Sequence, residues 1–391
     1  MIRRCVVFVV LCFLFAGCAN DVPAESPEGQ DAQNQFMFTG TFSFQETEGF
    51  YCGNSFLGDY LNYYDKASGI SGVLCADPSC AHDSNACGAY MEEGATLSVY
   101  DGRLYWIAPE NGGRDKYLWC SDLSGINREK VKRLSFEDVI IKYQPQWYVV
   151  HRGKLYILGN TNTVNGTQSS TRDTLVSTPL DDSEEFTVLY ERVSDLGQNT
   201  MARFVGNYAY ISTITFPLGG PCDVTVTKLD LTTGDPETVY METKIPASLD
   251  DSIWVTKQGE IYLTGADDSC AYVWKIEDGK RVEIGSWPGT EPSIPYVMDG
   301  IAVYLSRPDG VRLAEIINLN GETVYSGLLF PEGIPGLEGD INAYSFALVG
   351  GDRDKLILNL QNHAEGGLFD YTILLDLNND LMPTILWSGS M

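Results

Sequence analysis

A short phrase recurs along this chain: an apolar strand with Tyr near its start, a connection of variable length, a second apolar strand running into Asp or Asn and Gly, then a third strand. It stands as Leu104-Tyr105-Trp106-Ile107, Leu155-Tyr156-Ile157-Leu158, Tyr208-Ala209-Tyr210-Ile211, Ile261-Tyr262-Leu263 and Val303-Tyr304-Leu305. Weaker copies are Phe50-Tyr51-Cys52 and Leu356-Ile357-Leu358. One such unit cannot bury its own apolar face. Copies every ~40–55 residues therefore predict a radial or stacked repeat protein.

Each copy fits a four-stranded antiparallel sheet. Asp101-Gly102, Arg152-Gly153, Gly206-Asn207, Gln258-Gly259 and Asp299-Gly300 fall between first and second strands, and Ser124-Gly125, Thr233-Gly234, Asp278-Gly279 and Asn320-Gly321 between third and fourth. These residues tolerate the positive φ of tight hairpins. β-branched and aromatic residues fill the strands, and helical periodicity is nearly absent. The expectation is an all-β fold, a β-propeller of seven four-stranded blades near 42–75, 95–134, 145–190, 200–243, 251–287, 293–329 and 341–388; six or eight blades stay open because the first and last copies are weak, and a β-sandwich pair would not give so regular a spacing. No linker rich in Pro or Ser interrupts 36–391, which reads as one domain. The alternating stretch 36–44 is expected to complete the last blade or begin the first, so that no long edge stays open. The recurring tyrosines are expected to pack between blades.

The N-terminus predicts an address. Arg3 and Arg4 precede an apolar run too short to anchor stably across a bilayer. The run closes on Leu14-Phe15-Ala16-Gly17-Cys18, which resembles the bacterial lipobox, with Phe15 where Leu is usual. Residues 1–17 are expected to be a lipoprotein signal peptide, with Cys18 carrying lipid that holds the protein to the outer face of the cell membrane. The following 18–35 lack aromatics and are rich in Pro, Asp, Glu and Gln. Such a segment buries too little apolar surface to offset ordering entropy and reads as an acidic tether. The formal net charge of −27 argues against nucleic acid as a partner, since that is bound mainly through Lys and Arg.

The one concentrated constellation is Cys75, Cys80, His82 and Cys87, spaced C-x4-C-x-H-x4-C in the connection after blade 1. Three readings stay open: a disulfide, which export favours; a structural zinc site, for which the set is soft enough; or unpaired thiols. Seven cysteines follow Cys18, namely Cys52, Cys75, Cys80, Cys87, Cys120, Cys222 and Cys270, so full pairing within one chain is impossible. The stretch 63–90, with its Leu-Cys, Pro-x-Cys-x-His and Cys-x-Ala-Tyr elements, resembles a group of β-propeller-like lipoproteins of Gram-positive anaerobic bacteria. That resemblance implies address and fold and carries no activity.

No nucleophile elbow, phosphate loop, dinucleotide fingerprint or H-E-x-x-H occurs. Asp376-Leu-Asn378-Asn-Asp380 reads as a strand-ending turn, because Leu381 stands where a calcium loop needs Gly. His151 reads as a surface residue at a turn. No cofactor is expected, structural zinc being only one of the three readings of that loop. The expected function is a non-catalytic binding or scaffolding module for a protein or glycan. The alternative is a carbohydrate-active enzyme with paired carboxylates near the central channel. In an up-and-down blade the second-to-third connections share a face with the blade crossings. The longest of them, 109–115, 159–173, 216–223, 266–270, 307–310 and 361–370, make that the expected binding face, with Cys222, Cys270 and His363 at or near it. Substitutions in 159–173 and 361–370 should then alter binding, and those at Gly102 or Gly259 only folding.

Overall fold

The computed structural model describes residues 31, 44–53, 60–91, 96–110, 115–134, 147–165, 168–183, 185–195, 197–216, 221–245, 253–289, 292–362 and 369–390. The segment 1–17, Cys18, the tether 18–35 apart from Asp31, and His363 lie outside these residues. The rest forms seven four-stranded antiparallel sheets, each drawn from one contiguous stretch of chain.

Blade 1 holds β1 (Phe44–Glu46), β2 (Gly49–Cys52), β3 (Asn62–Asp65) and β4 (Ile70–Val73). Blade 2 holds β5 (Ser98–Tyr100), β6 (Arg103–Glu110), β7 (Asp115–Asp122) and β8 (Glu129–Arg133). Blade 3 holds β9 (Trp147–His151), β10 (Lys154–Asn165), β11 (Gln168–Pro179) and β12 (Thr187–Ser194). Blade 4 holds β13 (Gly197–Val205), β14 (Tyr208–Phe216), β15 (Cys222–Asp230) and β16 (Pro236–Ile245). Blade 5 holds β17 (Ile253–Val255), β18 (Ile261–Ala266), β19 (Cys270–Glu277) and β20 (Lys280–Pro288). Blade 6 holds β21 (Tyr296–Met298), β22 (Ile301–Ser306), β23 (Leu313–Asn318) and β24 (Thr323–Leu328). Blade 7 holds β25 (Tyr344–Gly351), β26 (Lys355–Asn362), β27 (Phe369–Asp376) and β28 (Met382–Ser390). The seven blades match the expected boundaries to within a few residues.

The turns explain the regularity. Asp101-Gly102, Arg152-Gly153 and Asp278-Gly279 take positive φ at both central positions, from +48° to +77°. That is the type I′ geometry whose twist matches the strands it joins. First strands lie innermost, where neighbouring blades touch through β5 and β9, β13 and β17, and β17 and β21. Fourth strands such as β4 and β16 are mostly exposed. Blades 2–7 carry a bulge between third and fourth strands, for example at Leu118/Trp119 and Val273/Trp274. A bulge adds local twist and turns the outer edge away from pairing.

The core is divided by blade boundary, with one cluster of buried apolar residues at each of the seven contacts. Tyr105, Tyr156, Tyr210, Tyr262 and Tyr304 are all buried in these clusters. Tyr156, for instance, packs on Phe204 of blade 4, with ring centroids 4.8 Å apart. Of the stretch 36–44 only Phe44 is described, and it begins β1 in the first sheet. All four strands of blade 7 come from the C-terminal end. Among the described residues the ring therefore closes by packing, with no strand shared between first and last blades. This seam holds Phe50, Cys52, Ile357, Leu386 and Trp387, five buried residues against nine to sixteen at the other boundaries among the described residues.

One expectation is corrected. The segment 159–173 is not an irregular insertion: β10 and β11 stay in register from Lys154↔Pro179 to Asn165↔Gln168. Its Thr, Ser and Asn residues obscured the strand signal. A two-stranded ribbon draws on backbone hydrogen bonds and β-branched residues, and it needs no apolar alternation once it extends beyond the core.

Candidate metal centre and binding face

β4 ends at Val73, and the chain crosses to β5 through residues 74–97. The crossing first adds to the top of blade 1: Leu74 N–H donates to the Leu61 carbonyl and Leu61 N–H to the Ala89 carbonyl, both at 2.8 Å. Between these anchors the loop folds on its own side chains. Asp77 accepts from Ser79 N–H (2.8 Å) and Ser79 Oγ (2.7 Å), and Cys80 N–H donates to the Asp77 carbonyl (3.1 Å). His82 takes a left-handed backbone (φ +52°). Cys87 N–H donates to the Ser84 carbonyl (3.1 Å) and Tyr90 N–H to the Cys87 carbonyl (3.0 Å).

These turns bring Cys75, Cys80, His82 and Cys87 together. One donor atom from each lies within 4.8 Å of all the others. His82 Nδ1 is 3.3 Å from Cys87 Sγ, and Ala89 N–H donates to the same sulfur at 3.4 Å. The three sulfurs are free thiols. Burial pushes the Cys87 thiol up to about 11. Burial acts the same way on Cys75, but hydrogen bonds from the neighbouring backbone and thiols outweigh it and leave Cys75 below the ordinary thiol range.

Arg128 closes the site from blade 2. Its Nη1 donates to the Gly88 carbonyl (3.0 Å) and to the Tyr90 carbonyl, and its guanidinium lies over Trp119 (4.8 Å) and Trp106 (5.2 Å). Burial lowers its pKa while the Cys87 sulfur favours its charge. The β7–β8 turn that carries Arg128 presses against the crossing. A Cβ at Gly125 (φ +77°) would lie 2.7 Å from the Leu74 carbonyl oxygen, so only Gly fits there.

The remaining sequence candidates do not join this cluster. Cys222 is buried between blades 4 and 5 and points its sulfur toward the Ile245 carbonyl (3.8 Å), so it presents no surface to a ligand. It starts β15, whose inward face alternates into the core. Cys270 starts β19, is half-buried, and lies beside its neighbour's carbonyl (3.4 Å). Cys120 is fully buried, with its sulfur 3.6 Å from Glu129 Oε1.

Two features escaped sequence reasoning. Asp31, inside the expected tether, reaches the face of the first-to-second turns. It accepts from Gly206 N–H (2.9 Å), lies 3.6 Å from His151 Nδ1 and 3.7 Å from Arg152 Nη2, and is 15% exposed. His151 itself is wholly buried rather than exposed. Its ring packs on Phe204 (5.5 Å), and Nε2 donates to the Gly206 carbonyl (2.8 Å). Burial lowers its pKa, opposed by that carbonyl and by Asp31. The turn lies on the surface, but blade 4 covers the side chain. The second feature is Asp173, a buried carboxyl that accepts from Gln198 Nε2 (2.5 Å) and Thr200 Oγ1. Burial raises its pKa, and the charge acting on it is Arg192.

At the seam a cleft of about 400 Å³ is lined by Phe50, Tyr64, Lys66, Asp354, Lys355 and Asp376, among others. Glu46 holds both lysines there, at 2.5 Å from Lys66 and 3.1 Å from Lys355.

No protein-family model and no curated protein matches the sequence. Solved structures do match in shape. A prolyl endopeptidase aligns with a TM-score of 0.53 at 12% identity, covering 94% of this chain and 53% of the other. Prolyl oligopeptidase B from Galerina marginata aligns at 0.52 and 10% identity, covering 92% and 52%. The acylaminoacyl peptidase of Pyrococcus horikoshii aligns at 0.50 and 11% identity, covering 90% and 54%. The chain thus spans about half the length of each of these proteins. At such identities the likeness is one of fold: a seven-bladed β-propeller resembling the propeller domains of the prolyl oligopeptidase family.

Proposed function

We propose that the protein is a surface-tethered, non-catalytic binding or scaffolding module that turns its second-to-third connections away from the membrane. The observation that carries this reading is the docking of Asp31 on the opposite face, against His151, Arg152 and Gly206. Cys18 precedes Asp31 by 13 residues. At ~3.5 Å per extended residue, a lipid on Cys18 leaves the docked face at most ~45 Å from the bilayer. The β10–β11 ribbon and the other connections then face outward, where loops on a rigid scaffold are free to bind.

The test is accessibility on intact cells. An epitope inserted at 166–167 should be bound by antibody, and one at 258–259 should be shielded. Cys18→Ala should release the protein from the membrane and equalise the two. Equal accessibility in the tethered protein would refute the orientation, and membrane retention of Cys18→Ala would refute the anchor.

The alternative, a carbohydrate-active enzyme, was expected near the central channel; what favours it is a cleft elsewhere, between blades 1 and 7, where Phe50 and Tyr64 lie beside Asp354 and Asp376. Aromatic rings and carboxylates are what a glycan site needs. A glycan hydrolysis screen that stayed silent with the wild type would dismiss it.

A further inference from the structure

We propose that Cys75, Cys80, His82 and Cys87 form a closed Zn²⁺ site that staples the crossing between blades 1 and 2. The inference is independent of the binding reading above and stands on the geometry of the loop.

Four donors converge, and no two-sulfur bond accounts for four. A disulfide would use two of the thiols and leave the third and the imidazole turned inward. Tetrahedral zinc, with Zn–S near 2.3 Å and Zn–N near 2.05 Å, places a nitrogen and a sulfur ligand ~3.6 Å apart. His82 Nδ1 and Cys87 Sγ are 3.3 Å apart, and all four donors fall inside a 4.8 Å sphere of mutual distance.

Two neighbours offset the cost of charge that burial imposes on Cys87. Ala89 N–H donates to Cys87 Sγ. Three thiolates and an imidazole around Zn²⁺ leave one net negative charge, and the half-buried guanidinium of Arg128, held on the Gly88 and Tyr90 carbonyls, sits beside the loop to offset that charge. The loop also needs a staple. Residues 76–86 contain no apolar side chain larger than Ala apart from Pro78, and Cys87, Ala89 and Met91 are the buried residues of the stretch 75–91. So small a loop lacks a core of its own and gains most from a metal clip. Four protein ligands fill the tetrahedron, which makes the site structural, with no open position for substrate. The thiol-rich set selects zinc over calcium or magnesium, which prefer oxygen.

The experiment uses the full chain, purified from an exporting host without added reductant. Elemental analysis should find one zinc per chain. Cobalt exchange should give the intense visible bands of a tetrahedral thiolate site. Cys80→Ser and His82→Ala should lose the metal, Cys120→Ser and Cys270→Ser should keep it, and His82→Cys should restore binding as a four-cysteine site. Alkylation of the unfolded, metal-stripped chain should label Cys75, Cys80 and Cys87 alike. A disulfide among these three would overturn the proposal. So would folded, reduced protein that takes up no zinc, or zinc that persists in both Cys80→Ser and His82→Ala.

Discussion

Trp387→Ala should open the ring at one place. Trp387 is 4% exposed and anchors the smallest interblade cluster, with Phe50, Cys52, Ile357 and Leu386. Truncating a buried Trp to Ala costs about 3–5 kcal/mol in lost burial and cavity formation. At 1.4 kcal/mol per decade this is roughly three orders of magnitude in an opening equilibrium. The ion pair that crosses the seam among the described residues, Lys355 with Glu46 at 3.1 Å, is partly exposed, and such a pair contributes at most about 1 kcal/mol. The apolar cluster therefore decides whether the seam holds. Elsewhere each boundary has at least nine buried residues among those described, and the loss at blade 7 leaves them intact. Native-state hydrogen exchange by mass spectrometry reads this directly. Peptides from 44–73 and 344–390 should lose protection in Trp387→Ala, while those from 197–288 keep theirs. A control, Phe204→Ala between blades 3 and 4, should not produce that pattern. Uniform loss of protection across all seven blades in Trp387→Ala would show instead that the ring opens only by global unfolding.

His151 should make stability fall on mild acidification. Its folded pKa is depressed by burial, so between the ordinary value of 6.5 and that lower value the unfolded chain binds the extra proton. The contribution is full above pH 6.5 and is lost as pH drops through this window, by up to about 1.4 kcal/mol per pH unit. Asp31 moderates the loss and Arg152 adds to it. The difference in urea stability between wild type and His151→Gln at pH 7.5 and pH 5.5 isolates the effect, and a pH-independent difference would exclude it. Gly125→Ala should cost more than Gly102→Ala. Both have left-handed φ, for about 1–2 kcal/mol of strain, but only the Cβ at 125 meets backbone, 2.7 Å from Leu74 O. Gly259→Ala should lie between them, since its Cβ meets the movable Tyr210 hydroxyl at 2.9 Å. Equal denaturation midpoints for the three would show that the crossing does not press on the β7–β8 turn.

How much of this was legible follows from where the partners sit in the chain. Each blade pairs strands that are neighbours in sequence, so local signals such as Asp101-Gly102 between β5 and β6 carry the topology with them. The packing role of Tyr156 was legible for the same reason, since a Tyr recurs near the start of the second strand in blades 2–6. The β10–β11 ribbon was missed because backbone pairing leaves no trace in side-chain polarity. At 75–87 the spacing named the residues but left a disulfide, which export favours, a metal site and unpaired thiols all open. Their arrangement appeared only when Asp77, His82 and Ala89 had folded the loop.

The repeat alone predicts a ring of four-stranded blades, because hairpin turns, strand period and the recurring Tyr are all local; with weak first and last copies it leaves six, seven or eight blades open, and the folded ring has seven. Only the tertiary structure decided how the ring closes, that His151 is buried, that Asp31 docks on the turn face, and that three thiols and an imidazole meet beside Arg128. Each of these depends on residues brought together across a blade boundary or within an irregular loop. No periodic pattern records such contacts, since long-range packing sets them one at a time.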